Sequence, residues 1–148
     1  MTLHVRQIED SEYEEASLVI LETFHDCVAR SMEPQGVKVF EEFAAAEAIR
    51  SRDAINCSTY VGVDGARLLG VLHVRDGNHV SMLFVLPAFH KQGIGRALIQ
   101  EADQSSKLLT VHSSTNATNS YESYGFSVCG PEQLADGIRF VPMQRNVV

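Results

Sequence analysis

The chain has 148 residues, the size of one domain with a core of its own. Hydrophobic residues make up 45% and charged residues 21%, which excludes a disordered chain. Twelve Lys and Arg stand against 19 Asp and Glu, and the formal net charge of −7 argues against a nucleic-acid or anionic-membrane partner held by bulk charge. No apolar run reaches the ~20 residues that span a bilayer. The opening stretch MTLHVRQIEDSEYEE turns acidic where a signal peptide needs an apolar segment. Cys27, Cys57 and Cys129 form no C-x-x-C pair, which fits a reducing cytoplasm and neither a disulfide scaffold nor a zinc site.

Alternating polarity predicts a strand over 3–8. Ser11 and Glu14 stand at capping-box spacing, and Tyr13, Ala16, Ile20, Phe24 and Val28 recur at helical steps, so a helix runs over about 12–29. Pro34 and Gly36 break it, and Val39, Phe40, Phe43, Ala44, Ala48 and Ile49 mark a second helix. Strands follow around Thr59 to Val63, over 68–75 and over 79–86, with turns at Asp64-Gly65 and Asp76-Gly77-Asn78. The third of these is almost continuously apolar, as a central buried strand would be. A loop over 88–92 leads through Gly93 and Gly95 into a helix that ends near Ser105. Then come a strand over 107–112, a short helix over 115–124, a strand opening at Gly125-Phe126 and a last strand over 138–143. No linker or repeat divides residues 1–148, so a single domain is expected. The order predicts an α/β or α+β fold with a mixed sheet of about six to seven strands and helices on both faces. The right-handed crossover rule makes the strands over 80–86 and 107–112 parallel neighbours.

The segment over 80–99 carries the chemistry. A buried strand, a loop, two glycines and an amphipathic helix follow one another. A helix N-terminus leaves backbone N–H groups free, and glycines let a phosphate approach them. Lys91 and Arg96 add positive charge, so the segment reads as a pyrophosphate cradle. It is neither a P-loop, which needs GxxxxGK followed by Ser or Thr, nor a Rossmann fingerprint, whose third glycine position holds Leu98.

Two motifs resemble those of the GNAT superfamily of acyl-CoA N-acyltransferases. VLPAFHKQGIGRAL, from Val85 to Leu98, is similar to the family's acetyl-CoA-binding motif, V-x-P-x-Y/F-Q/R-x-x-G-I/V-G/A-x-x-L. LTVHSSTNATNSYESYGF, from Leu109 to Phe126, resembles the later segment that ends in Y-E-x-x-G-F. His90 stands where the family has Gln or Arg, and Ser120 replaces the usual Phe or Leu before the tyrosine. The resemblance implies the GNAT fold, with the fourth and fifth strands splayed into a V. It implies that the backbone of Leu83, Phe84 and Val85 holds the pantetheine arm of acetyl-CoA. The pyrophosphate would rest on the N–H groups of Gln92, Gly93, Ile94, Gly95, Arg96 and Ala97, with His90 and Lys91 beside them. Ser114 and Asn116 lie where they can reach the pantetheine amides or cap a helix.

Tyr121 matches the family's tyrosine beside the departing thiolate. A phenol with a pKa of about 10 can supply that proton. An alkylammonium cannot attack, so a base is needed. His79, at the start of the central strand, and Glu22, on the first helix, are the candidates. The six histidines show no metal-ligand spacing, so no metal is expected. The implied reaction is direct transfer of acetyl from acetyl-CoA to a primary amine in the cytoplasm; a coenzyme A-binding sensor without catalysis is the alternative. The acceptor would be held by the first helix, the loop after it and the 130–140 segment, where Glu22, Asp26, Glu33, Glu41, Glu132 and Asp136 form an acidic mouth. A homodimer is left open.

Overall fold

The computed structural model describes residues 2–146. Its centre is a mixed eight-stranded sheet. β1 (Leu3–Gln7) pairs antiparallel with β2 (Cys57–Asp64), β2 with β3 (Arg67–Arg75), and β3 with β4 (His79–Val85). β5 (Thr110–Ser113) lies parallel to β4, as expected for two strands joined through a helix. β8 (Ile138–Gln144) closes the sheet antiparallel to β5 and also pairs with β6 (Ser127–Val128) and β7 (Gln133–Ala135). The sheet has one strand more than the upper sequence estimate, because the exposed β7, built around the Asp136-Gly137 turn, shows no hydrophobic alternation.

Among the described residues five α-helices flank the sheet: α1 (Tyr13–Cys27), α2 (Pro34–Phe43), α3 (Ala46–Asp53), α4 (Ile94–Ser105) and α5 (Thr118–Ser123). They cover both faces. On β3 a Cβ at Gly70 would touch Ile94 and Leu98 of α4. His73, an odd number of positions away and therefore on the other face, meets Arg52 of α3 at 3.1 Å. Val61, Leu69, Val71 and Leu72 are fully buried between these layers. Among the described residues no helix is long and apolar enough to cross a membrane.

Three local readings are corrected. The capping carboxylate before α1 is Glu12, which accepts the Glu9 N–H at 2.8 Å, rather than Glu14. Pro34 opens α2 at its first turn instead of merely ending α1, a position where its missing N–H costs nothing. The single helix expected after Val39 is two: the Ser17 hydroxyl donates to the Ala44 carbonyl at 2.7 Å, and the chain turns there before α3. That turn is fixed from the other side by Arg52, which donates to the Phe43 carbonyl at 2.6 Å and lies 3.7 Å over the Phe43 ring.

Candidate active site

β4 and β5 share only two paired positions, His79 with Thr110 and Val80 with Val111. Immediately afterwards the β3–β4 register slips: Val74 faces Val80 but His73 faces Met82, so Ser81 is the extra residue of a bulge. A bulge bends its strand and adds twist, which carries the rest of β4 away from β5. The result is the V expected between the fourth and fifth strands.

Backbone phase decides which groups face this opening. The Leu86 N–H donates to the Leu69 carbonyl at 2.8 Å, so alternate residues of β4 point toward β3. Leu83 and Val85 therefore turn their N–H and C=O groups to the open side. Phe84 does not: its backbone bonds toward β3, and its ring lines the cavity instead. The Val85 carbonyl is already taken. His90 Nε2 donates to it at 2.6 Å, with the Thr23 hydroxyl at 3.4 Å. His90 thus ties the loop to the end of β4.

Beyond β4 a 3-10 turn (Pro87–Phe89) leads to Lys91 with φ of 63° and Gly93 with φ of 81°. Gly93 is the N-cap of α4 in the left-handed region, which a side chain would strain. The first helical bond runs from the Ala97 N–H to the Gly93 carbonyl at 3.0 Å. The N–H groups of Ile94, Gly95 and Arg96 are therefore the free ones, and that of Ala97 is spent. Gln92 is exposed outside the cavity lining. The Arg96 guanidinium donates to the Ser123 carbonyl at 3.0 Å and lies 5.4 Å over the Tyr124 ring, so it braces α4 against α5.

The facing wall comes from β5 and α5. The Ser114 hydroxyl donates to Asn116 Oδ1 at 2.9 Å, and Asn116 Nδ2 donates to the Cys27 carbonyl at 2.8 Å, which joins this wall to the end of α1. Tyr121 is buried, edge-on to Tyr124 at 6.0 Å and to Phe126 at 5.8 Å. Burial, then the neighbouring Tyr124, holds its phenol well above the ordinary tyrosine pKa, so it stays protonated at pH 7.

Neither candidate base lines this cavity. His79 is buried beside it, its Nδ1 2.8 Å from the Thr110 hydroxyl, and burial followed by Arg75 pushes its pKa down to about 4. Glu22 borders a separate outer depression with His25, Asp26 and Arg67. The histidine that does line the cavity is His112, which the sequence reading passed over. It sits in β5 one residue past the last pair with β4, stacked on Phe140 at 4.2 Å and 20°. Partial burial, then Arg75, lowers its pKa, so the imidazole is neutral at pH 7. The available signal was the pattern of β5: Val111 and Ser113 are buried, which sends Thr110 and His112 to the opposite face.

The cavity measures about 970 Å³ and continues from the cradle to α1, α2 and the β7–β8 hairpin. Its far end is aromatic, not acidic, which corrects the expected mouth. Of the six acidic residues named for it, only Asp136 lines it. Glu33 and Glu132 stand 3.8 and 3.6 Å from Arg139, and Glu41 pairs with His25 at 3.0 Å. The hairpin is clasped to α2 by two glycines. A Cβ on Gly36 would fall 2.5 Å from the Gly137 carbonyl carbon, so only glycine lets these backbones meet.

The chain belongs to the GNAT acetyltransferase family: the family's sequence model, described as acetyltransferase (GNAT) domain, matches residues 28–147. A peptidyl-lysine N-acetyltransferase of Escherichia coli, YiaC, is 29% identical over 83 residues, 54% of this chain. The chain spans 57% of that relative's length in the match. Among solved structures, the PaiA N-acetyltransferase of Thermoplasma acidophilum in complex with coenzyme A superposes with a TM-score of 0.76 at 18% identity, over 99% of this chain and 100% of that one. A GCN5-related N-acetyltransferase structure from Rhodopseudomonas palustris gives 0.80 at 15% identity, over 99% and 97%. These likenesses show that the fold is the GNAT fold.

Proposed function

We propose that the chain is an N-acetyltransferase that moves the acetyl group of acetyl-CoA to a primary amine. The observation that carries this is the parting of β4 from β5 after Ser81, with free N–H groups of α4 at one end and a buried phenol in the wall. The residues fit the co-substrate. The N–H groups of Ile94, Gly95 and Arg96 suit a pyrophosphate, and the open backbone of Leu83 with the Val85 N–H suits the pantetheine amides. Lys91 adds charge at the rim, and Ser114 and Asn116 stand on the other side.

The amine nitrogen attacks the thioester carbonyl, and a C–N bond forms as the C–S bond breaks. The nitrogen's surplus proton passes to the neutral His112 imidazole, and the departing sulfur takes the Tyr121 phenol proton. Both groups return to their starting states through water. His112 replaces His79 and Glu22 in this scheme because it lines the cavity and they do not. No covalent enzyme intermediate is involved.

The test is release of free thiol from acetyl-CoA in the presence of amines of several classes, with acetyl-CoA binding followed in parallel by calorimetry. Thiol release that depends on one amine class supports the transferase. Saturable binding without release on any amine makes the chain a coenzyme A-binding module instead.

A further inference from the structure

The acceptor end of the cavity is built from rings. Phe24 and Phe40 stack 4.1 Å apart at 18°, and Phe40 meets Phe84 at 5.6 Å and 59°. From β8, Phe140 covers His112. Phe24 is fully buried and forms the back of the wall, while Phe40, Phe84 and Phe140 keep part of their surface open. Val39, Met32 and Ile138 complete an apolar lining.

Negative charge in this lining is sparse, and Lys91 and Arg96 lie at the cradle end. Among the described residues Asp136 is its one carboxylate, and it lies exposed at the hairpin turn. Arg139 is flanked by Glu33 and Glu132, so it offers no free cation to an acceptor carboxylate. The face of Phe43, which would suit a cation, is covered by Arg52. A second ammonium on the acceptor would therefore leave water for an aromatic wall whose one carboxylate is the exposed Asp136.

We propose that the acceptor is an arylalkylamine, a primary amine on a short carbon chain that ends in an aromatic ring and carries no second charge. The proposal rests on the transferase reading and names its substrate class. The ring lies against Phe40 and Phe84, where offset and edge-on contacts are both on offer. The nitrogen then reaches the parting of β4 and β5, beside His112 and Tyr121. There its lone pair bonds the acetyl carbon, one N–H proton leaves to His112, and the thiolate takes the phenol proton.

The test compares kcat/KM, read as thiol release, for 2-phenylethylamine, 3-methylbutylamine, spermidine and Nα-acetyl-lysine methylamide. We expect 2-phenylethylamine to lead, ahead of the branched aliphatic amine by roughly 2–10-fold, the worth of an aromatic pair beyond its burial. The two remaining amines should fall further behind. Phe40→Leu and, independently, Phe140→Leu should each reduce that lead while the acetyl-CoA Kd stays unchanged. Faster transfer to spermidine or to the lysine derivative would overturn the proposal, the latter in favour of a peptide acceptor. Calorimetry of 2-phenylethylamine with the coenzyme A-saturated protein separates the two claims. Binding without turnover on any amine keeps the aromatic subsite and sinks the transferase reading; no binding overturns the subsite itself.

Discussion

The two ends of one cavity are made differently. The cradle end is backbone: the free N–H groups of Ile94, Gly95 and Arg96 and the open edge of Leu83, all within about one strand and one helix turn. The end proposed for the acceptor is side chain, assembled from α1, α2, β4 and β8, which are far apart in sequence. A backbone site tolerates changes of side chain but not of φ. A side-chain site tolerates small changes of φ but not of the distance between its elements. Substitutions should therefore divide cleanly, one set moving acetyl-CoA affinity and the other moving the acceptor's KM.

The largest effect on rate is expected between the two ends, at the reacting atoms. Tyr121→Phe keeps the ring and its edge-on contacts with Tyr124 and Phe126. It removes only the hydroxyl proposed to protonate the thiolate. A thiolate leaves fairly well unaided, so kcat should fall roughly 10–100-fold, at the low end for a lost general acid. That is about 1.4–2.7 kcal/mol of barrier, with the acetyl-CoA Kd unchanged. A fall in affinity equal to the fall in kcat would make Tyr121 a packing residue.

Next comes the base. With His112 as the proposed base, its lowered pKa predicts activity that is full above that pKa and lost as pH falls through it, below the ordinary value of 6.5. His112→Asn should cost roughly tenfold in kcat/KM at pH 7.5. It should also flatten the acid limb of the pH profile. If the limb survives in His112→Asn and disappears in His79→Asn, the base is His79, acting through its neighbour.

A smaller and more selective effect is expected at the clasp. Gly36→Ala puts a methyl group onto the Gly137 carbonyl, so α2 and the β7–β8 hairpin must part. Steady-state kinetics should show the acceptor's KM raised about threefold to tenfold, since a shift of ~1 Å in positioning groups is felt at the chemistry. An unchanged KM would mean that the acceptor does not use the space between these elements.

How much of this was readable in the sequence follows the same division. The cradle was legible because its parts are contiguous: strand, loop, Gly93, Gly95 and helix occur in order, and each local signal agrees with the next. The parallel pairing of β4 with β5 followed from the strand–helix–strand order. That His112 lines the cavity and His79 does not was not legible, because it depends on where β4 and β5 stop pairing, and the Ser81 bulge between them has no residue signature. Phe84 was assigned a backbone role for a related reason: the phase of β4 against β3 is set by pairing, not by composition. The acidic mouth rests on charges of the first helix, the loop after it and the 130–140 segment, and composition does not say what each of them meets. In the fold Arg139 and His25 meet three of them, and the rings of Phe24, Phe40 and Phe84 take the wall.

The central claim is that acetyl-CoA binds on the α4 side of a cavity whose other end is closed independently by α2 and the hairpin. Calorimetry of acetyl-CoA with three proteins tests it most directly: the unaltered chain, Gly93→Val and Gly36→Ala. Gly93 has φ of 81°, which a β-branched residue rarely adopts, so Val there must rebuild the loop and move the N–H groups of the cradle. The expected result is saturable binding by the unaltered chain, a loss of at least about tenfold in Gly93→Val, or ~1.4 kcal/mol, and no change in Gly36→Ala. Equal affinity in the unaltered chain and a folded Gly93→Val, or a loss confined to Gly36→Ala, would contradict it.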